Sequence, residues 1–232
     1  MFATLARFSV PAINHKQKNK TLFMNTNQSN ELTSFITMAE EFGHETILAE
    51  TEMFNHWDVN SLIELLIRHY HCDARKNITG IYDLAQKVSV NHSHRHSELS
   101  KLTAALFLFF DDLLFHLKIE EQILFPDIKH LVKKTSASKP PACHISKPVR
   151  DLAFIMQKEH QAAIKELMFL RKLTNNYMIP ADACRFYNQL FQRMKEFEKE
   201  LLLHIHLENN ILFPKVIQMD EIFTGKEMKI KI

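Results

Sequence analysis

His116-Leu117-Lys118-Ile119-Glu120-Glu121-Gln122-Ile123-Leu124-Phe125-Pro126 returns 88 residues later as His204-Ile205-His206-Leu207-Glu208-Asn209-Asn210-Ile211-Leu212-Phe213-Pro214. In both stretches a histidine and a glutamate stand four residues apart. On a helix of 3.6 residues per turn they project from the same face, one above the other. Each stretch is therefore a two-ligand metal edge, and its return at this distance points to a duplicated helical hairpin. The Ile-Leu-Phe run after each glutamate reads as core packing, so Ile123, Leu124, Phe125, Ile211, Leu212 and Phe213 are expected to wall the site off. Pro126 and Pro214 are expected to kink or end their helices, because the prolyl ring clashes with the preceding turn.

Composition supports helices. The 232 residues include only three glycines and seven prolines, which favours an all-α chain. A formal charge of +2 gives no strong field, so neither nucleic acid nor an anionic membrane surface is an expected partner. No apolar run approaches the ~20 residues that span a bilayer; the most apolar stretch, Ala104 to Phe110, is closed by Asp111 and Asp112. Cys72, Cys143 and Cys184 form no C-x-x-C pair, which fits a reducing, cytoplasmic location.

Residues 1–55 read as an N-terminal extension: a basic, Asn- and Thr-rich tail, then one or two short helices between Glu31 and Phe54, with Gly43 as a break and Met24 as an alternative start. Residues 56–220 read as one domain of four helices. The first is expected from a capping box at Ser61 and Glu64 to about Val90, tolerating Gly80 at some cost. The turn Asn91 to Ser97 follows, and the second helix runs from Glu98 to about Phe125. Lys133 to Pro148 is the linker between hairpins. The third helix covers about Val149 to Thr174, Asn175 to Pro180 is a turn, and the fourth covers about Ala181 to Phe213. Residues 221–232 read as a C-terminal tail. Two short connections and one longer one make an up-down-up-down four-helix bundle.

Antiparallel hairpins place residues level with their mirror images across each turn. Through Asn91 to Ser97, His116 falls level with His71; through the Pro180 turn, His204 falls level with His160. Six candidate ligands result: His71, His116, Glu120, His160, His204 and Glu208. Four imidazoles and two carboxylates, with no thiolate, exceed a closed tetrahedral zinc site and suit iron or manganese, with carboxylates able to bridge two ions. Two non-haem iron ions bridged by Glu120 and Glu208 are the expected filling. An oxo or hydroxo bridge and an open position for O2 or NO would complete their coordination. Glu159, beside His160, and Asp112, one turn before His116, are candidates to orient ligand imidazoles, against the alternative of a solvated helix face. Tyr70 is a candidate donor to a bound small ligand, against the alternative of a rim tyrosine. His206 is expected on an exposed face, His94 and His96 as decoration of their turn, and Cys184 as a small buried residue. His44-Glu45 lacks the second histidine of a zinc-protease motif, since Leu48 stands at that position.

The pattern Arg68-His69-Tyr70-His71, His116-x-x-x-Glu120-Glu121, Glu159-His160 and His204-x-x-x-Glu208-Asn209, with Ile-Leu-Phe-Pro after each pair, resembles the RIC family of iron-sulfur cluster repair proteins in the hemerythrin-like superfamily. The match runs from about Asn55 to Pro214 and includes Leu173-Thr174, Pro180 and Ala183-Cys184; His92 also falls where the family commonly has a histidine. The resemblance implies a cytoplasmic di-iron bundle that helps restore iron-sulfur clusters damaged by nitrosative or oxidative stress, by iron donation or NO chemistry. Its expected partners are NO or O2 and damaged iron-sulfur or cluster-assembly proteins, and a homodimer is one assembly open to it. The alternative from a different class is a reversible O2- or NO-binding or redox-sensing hemerythrin-like protein without catalytic role; oxygen carriers of that type use an additional histidine. RIC proteins commonly carry a leading domain with an adjacent Cys-Cys pair, whereas no cysteine precedes Cys72 here, so that pair's role does not carry over.

Overall fold

The computed structural model describes residues 51–135 and 147–223, and every regular element among them is helical. A short 3-10 turn, Met53–His56, leads into the first rod: α1 (Val59–Leu65), a wide π-turn (Leu66–His71) and α2 (Cys72–His92). The second rod is α3 (Glu98–Ile119), a π-turn (Glu120–Leu124) and α4 (Phe125–Thr135). The third is α5 (Lys147–Leu173). The fourth is α6 (Arg185–Leu207), a π-turn (Glu208–Leu212) and α7 (Phe213–Phe223). The first rod packs against the second and fourth, and the second against the third, which gives the expected all-α four-helix bundle. None of the described helices is long and apolar enough to cross a membrane. The expected helices before Thr51, the centre of the Lys133 to Pro148 linker and the tail from Gly225 fall outside the described residues.

Three local expectations are corrected. The first helix is capped by Asp58 rather than Ser61: its carboxylate accepts from the Asn60 and Ser61 backbone N–H groups, and the Ser61 hydroxyl donates to it at 2.6 Å. A carboxylate meets two of the orphan donors of a first turn, and its charge suits the positive end of the helix. Glu64, freed from capping, pairs instead with Arg68 and Lys129 at 2.9 Å each. Neither Pro126 nor Pro214 ends its helix. Each is the second residue of a helix that directly follows a π-turn, and this wider i→i+5 turn accommodates the prolyl ring where a regular turn would clash. The fourth rod starts at Arg185 rather than Ala181.

Two apolar layers occupy the bundle. One, towards the turns, gathers Ile81, Leu99, Leu106, Leu117, Tyr187 and Leu202; the other, at the open end, gathers Ile63, Leu66, Leu124, Phe125, Leu212 and Phe213. Gly80 faces the fourth rod, where a Cβ would lie 2.6 Å from Arg193 Nη1, so the expected helical cost of this glycine comes with a close guanidinium contact.

The turn end is closed by polar contacts. Asn175, Asn176 and Tyr177 are all left-handed, with φ of 47°, 56° and 56°. The segment is pinned by the Tyr177 hydroxyl, which donates at 2.6 Å to fully buried Glu198, and Glu198 also receives the Arg171 guanidinium. Burial and the adjacent Glu198 carboxylate push the Tyr177 phenol far up, keeping it a donor. His96 is more than decoration: it reaches Asp182 Oδ1 at 3.0 Å and Glu98 Oε1 at 3.2 Å, tying the two turns together, and its ring packs on Tyr187, as does His92.

Glu198→Ala leaves the Arg171 guanidinium without this carboxylate in a nearly dry site, so urea unfolding should report a loss of about 3 kcal/mol. His96 has a raised pKa, chiefly through its hydrogen bond to Asp182. The folded chain therefore binds that proton more tightly than the unfolded one. The link's stabilisation is complete below the ordinary value of 6.5 and is lost as pH rises through the raised one. The stability gap between wild type and His96→Ala should shrink as pH rises above the ordinary value of 6.5; a flat gap would assign the effect to ring packing alone.

Candidate metal centre

All six predicted ligands meet between the two apolar layers. His71, Glu120 and Glu208 are fully buried, His160 and His204 are 2% exposed, and His116 is 7% exposed. They form two groups that share both carboxylates: His71, Glu120, His204 and Glu208 in one, His116, Glu120, His160 and Glu208 in the other, with ligand atoms in each within 4.8 Å of one another. The imidazoles pair across hairpins. His71 Nε2 lies 3.2 Å from His204 Nε2, and His116 Nε2 lies 3.0 Å from His160 Nε2. Mirroring across turns had set the height of these residues; the contacts of the first rod with the fourth and of the second with the third decide which histidines share a group.

Three of the four rods reach the centre through a π-turn. His71 ends one, and Glu120 and Glu208 begin the other two. A spacing of four drifts around a regular helix by about 40° per step. His116, Glu120, Leu124 and Ile128 nevertheless all stay buried, because the wide turn takes up that drift. The same device keeps His204, Glu208, Leu212 and Val216 inward. His160 comes from unbroken α5, the one rod of the four without a π-turn.

The residue after each glutamate holds a histidine of its own hairpin. Glu121 Oε1 accepts from His71 Nδ1 at 2.8 Å and is itself held by Arg75 at 2.8 Å; Asn209 Oδ1 accepts from His160 Nδ1 at 2.8 Å. Five residues after each glutamate, a phenylalanine stacks on the same ring: Phe125 on His71 at 5.7 Å and Phe213 on His160 at 6.1 Å. These contacts orient the rings with Nε2 towards the centre. Of the two readings open for Glu159 and Asp112, the solvated helix face is the one observed, since both are exposed. The signal for Glu121 and Asn209 was present, since they occupy matched positions in the repeat.

The electrostatics ask for cations. Glu120 and Glu208 have no hydrogen-bond partner on any of their four oxygens, although imidazole nitrogens stand 3.1 to 3.7 Å away. Four carboxylate oxygens and the Nε2 atoms of four imidazoles thus gather in one buried space. Burial would push the Glu120 carboxyl up, but His116 and His160 outweigh it and hold it well below the usual range. Glu208, raised by burial and by Glu120, is held low by His204 and His160. Burial would push His160 down, yet the two carboxylates raise it to about 10; burial and His204 hold His71 below its usual value. Two ionised carboxylates in a dry site demand positive charge, and a pair of metal ions supplies it in a way that neutral imidazoles can share. The donor set fits that group.

A cleft of about 80 Å³ reaches this centre between the second, third and fourth rods, lined by Asp112, Leu113, His116, Glu159, His160 and Glu166 among others. Asp112 and Glu159 belong to its mouth. Tyr70 stacks on His204 with centroids 5.8 Å apart and meets His69 edge to face at 4.8 Å. His206 is buried, not exposed, with Nδ1 3.0 Å from Asn210 Nδ2; the fourth rod is enclosed on all sides from Leu201 to Glu208, so no outward face exists there. Ile123 is 45% exposed and does not wall the site, unlike its counterpart Ile211. Cys184 is half-buried beside the core at the start of α6.

Residues 62–216 match the model of the hemerythrin HHE cation binding domain. The chain belongs to this family. The hemerythrin-like chain is 32% identical over 160 residues to the iron-sulfur cluster repair protein YtfE of Musicola paradisiaca, covering 69% of this chain and 66% of that protein. It is 36% identical over 156 residues to the "Probable iron-sulfur cluster repair protein" of Haemophilus influenzae, covering 67% and 64%. The YtfE protein of Yersinia pseudotuberculosis is 32% identical over 160 residues, with 69% and 66% covered. The chain thus spans just under two thirds of the length of these relatives, which are of the RIC type that its motifs resemble.

Glu121→Ala and Asn209→Ala each remove the group that orients one imidazole. Either should weaken metal binding by about 10- to 100-fold in competition with a chelator, while Glu159→Ala should leave affinity unchanged.

Proposed function

We propose that the hemerythrin-like bundle holds two iron ions, one by His71 and His204 and the other by His116 and His160, with Glu120 and Glu208 bridging them, and that it assists repair of iron-sulfur clusters damaged by nitrosative or oxidative stress. The observation that carries this reading is the sharing of both buried carboxylates by two histidine pairs. Four imidazoles and two carboxylates, with no thiolate, suit iron. Bound there, a pair of irons supplies redox chemistry and a position for NO or O2, and is itself cargo for a damaged cluster.

The protein's own residues set the conditions. Glu121 and Asn209 keep Nδ1 of His71 and His160 occupied, so that Nε2 is the free donor on each ring. Leu124, Phe125, Leu212 and Phe213 exclude water from one side. The cleft at Asp112, Glu159 and Glu166 is the open side, roomy enough for a diatomic molecule or about two waters. The cytoplasm, where clusters are assembled and thiols stay reduced, is the compartment that suits this role. Repair is favoured over reversible oxygen carriage because the two ligand groups contain four imidazoles and no additional one.

Glu120→Ala or Glu208→Ala should each lose at least one iron per chain, read by metal analysis with visible and EPR spectra. The iron-loaded wild type should restore activity to an enzyme whose iron-sulfur cluster has been nitrosylated, and both variants should not. Full iron content in either variant would overturn the bridging assignment.

A further inference from the structure

The mouth of the cleft is framed by more than the carboxylates that line it. Asp112, Glu159 and Glu166 are exposed on its walls. Residues three and four apart on a helix are surface neighbours. Leu108 stands one turn before Asp112 and Phe115 one turn after it on α3; they are 65% and 66% exposed. On α5, Ile155 stands one turn before Glu159 and Phe169 one turn after Glu166, at 49% and 48% exposed. Four large apolar side chains therefore frame an acidic opening that leads to His116, His160 and His204. Isolated exposed apolar residues are ordinary, but a set grouped about a functional opening marks an interaction surface.

The charge pattern selects the occupant. A second copy packed on this face about a two-fold axis would bring the same three carboxylates against their own mates, a like-charge contact. An anionic lipid surface is repelled for the same reason. A diatomic ligand uses the cleft and has no need of the frame. Lysines stand outside this opening: Lys158 covers the Phe154 ring at 4.6 Å, and Lys118 and Lys165 lie one turn from Phe115 and Phe169, but the cleft itself is lined by Asp112, Glu159 and Glu166 with no lysine or arginine.

We infer that this frame is the docking face for the protein that takes delivery from the centre: a folded partner whose surface sets Lys or Arg side chains among exposed apolar ones. The inference rests on the repair reading above. The partner's cations neutralise the mouth, and the apolar frame excludes water around them, the arrangement by which central contacts dominate protein association.

The test uses the iron-loaded chain and a [4Fe-4S] dehydratase whose cluster has been damaged by nitric oxide. Recovery of dehydratase activity is followed against concentration of the iron-loaded chain, and iron transfer to a small ferrous chelator is followed in parallel. In Leu108→Ser/Phe169→Ser the concentration giving half-maximal recovery should rise about tenfold or more. Iron content and transfer to the chelator should stay as in wild type, and Phe154→Ser should behave as wild type throughout. Unchanged recovery in the double variant overturns the docking face. Slowed transfer to the chelator overturns it too, placing these residues in the site itself. So does a native mass that falls from dimer to monomer in the double variant, which would make the face a self-contact. If wild type delivers iron to the chelator but restores no activity, the repair reading fails and takes this inference with it.

Discussion

Two ionised carboxylates with no exposure to water, Glu120 and Glu208, are the constraint on which the structure depends. Neither has a hydrogen-bond partner, so their burial is tolerable only with positive charge delivered between them. Four imidazoles aimed at the same space complete a donor set that cations satisfy and water cannot reach from the apolar layers. The rods are positioned to serve that space, and the π-turns are the local cost of doing so. Each departs from regular helical bonding where a ligand must be aimed, and wide turns of this kind recur at functional positions.

The two hairpins build the centre by matched contacts, and its halves are unequal. Each hairpin supplies a histidine, a histidine-glutamate pair, a group holding an Nδ1 and a phenylalanine stacked on the same ring. Yet His71 is held by a carboxylate backed by Arg75, whereas His160 is held by an amide. A carboxylate partner makes an imidazole more electron-rich than an amide does. The two groups therefore differ in what holds their Nδ1 atoms, although the residue types facing the centre are the same. The outer faces diverged as well: Ile123 is exposed where Ile211 is buried.

The two ends of the bundle have separate tasks. At the turns, Glu198, Arg171 and Tyr177 hold a left-handed segment, and His96 links the two connections. At the sides, the cleft walled by Asp112, Glu159 and Glu166 connects ligands to surface. Polar closure at one end leaves the cleft at the side as the opening from the buried histidines to the surface.

The sequence by itself determined the bundle, the level of the centre and the six histidine and glutamate residues that meet there, because helical period and hairpin symmetry convert spacing into position. It also contained Glu121 and Asn209 at matched places, though nothing in one dimension says that they touch His71 and His160. It misread Pro126 and Pro214 as stops, since propensity assumes a regular turn, and the π-turns arise from aiming a ligand and a core residue four apart at one interior. It misread His206, because exposure is a property of neighbouring rods and not of helical phase alone. Only the tertiary structure decided that His71 shares a group with His204 and His116 with His160. That pairing follows from which rods lie side by side, and packing across hairpins leaves no trace in the spacing within either one.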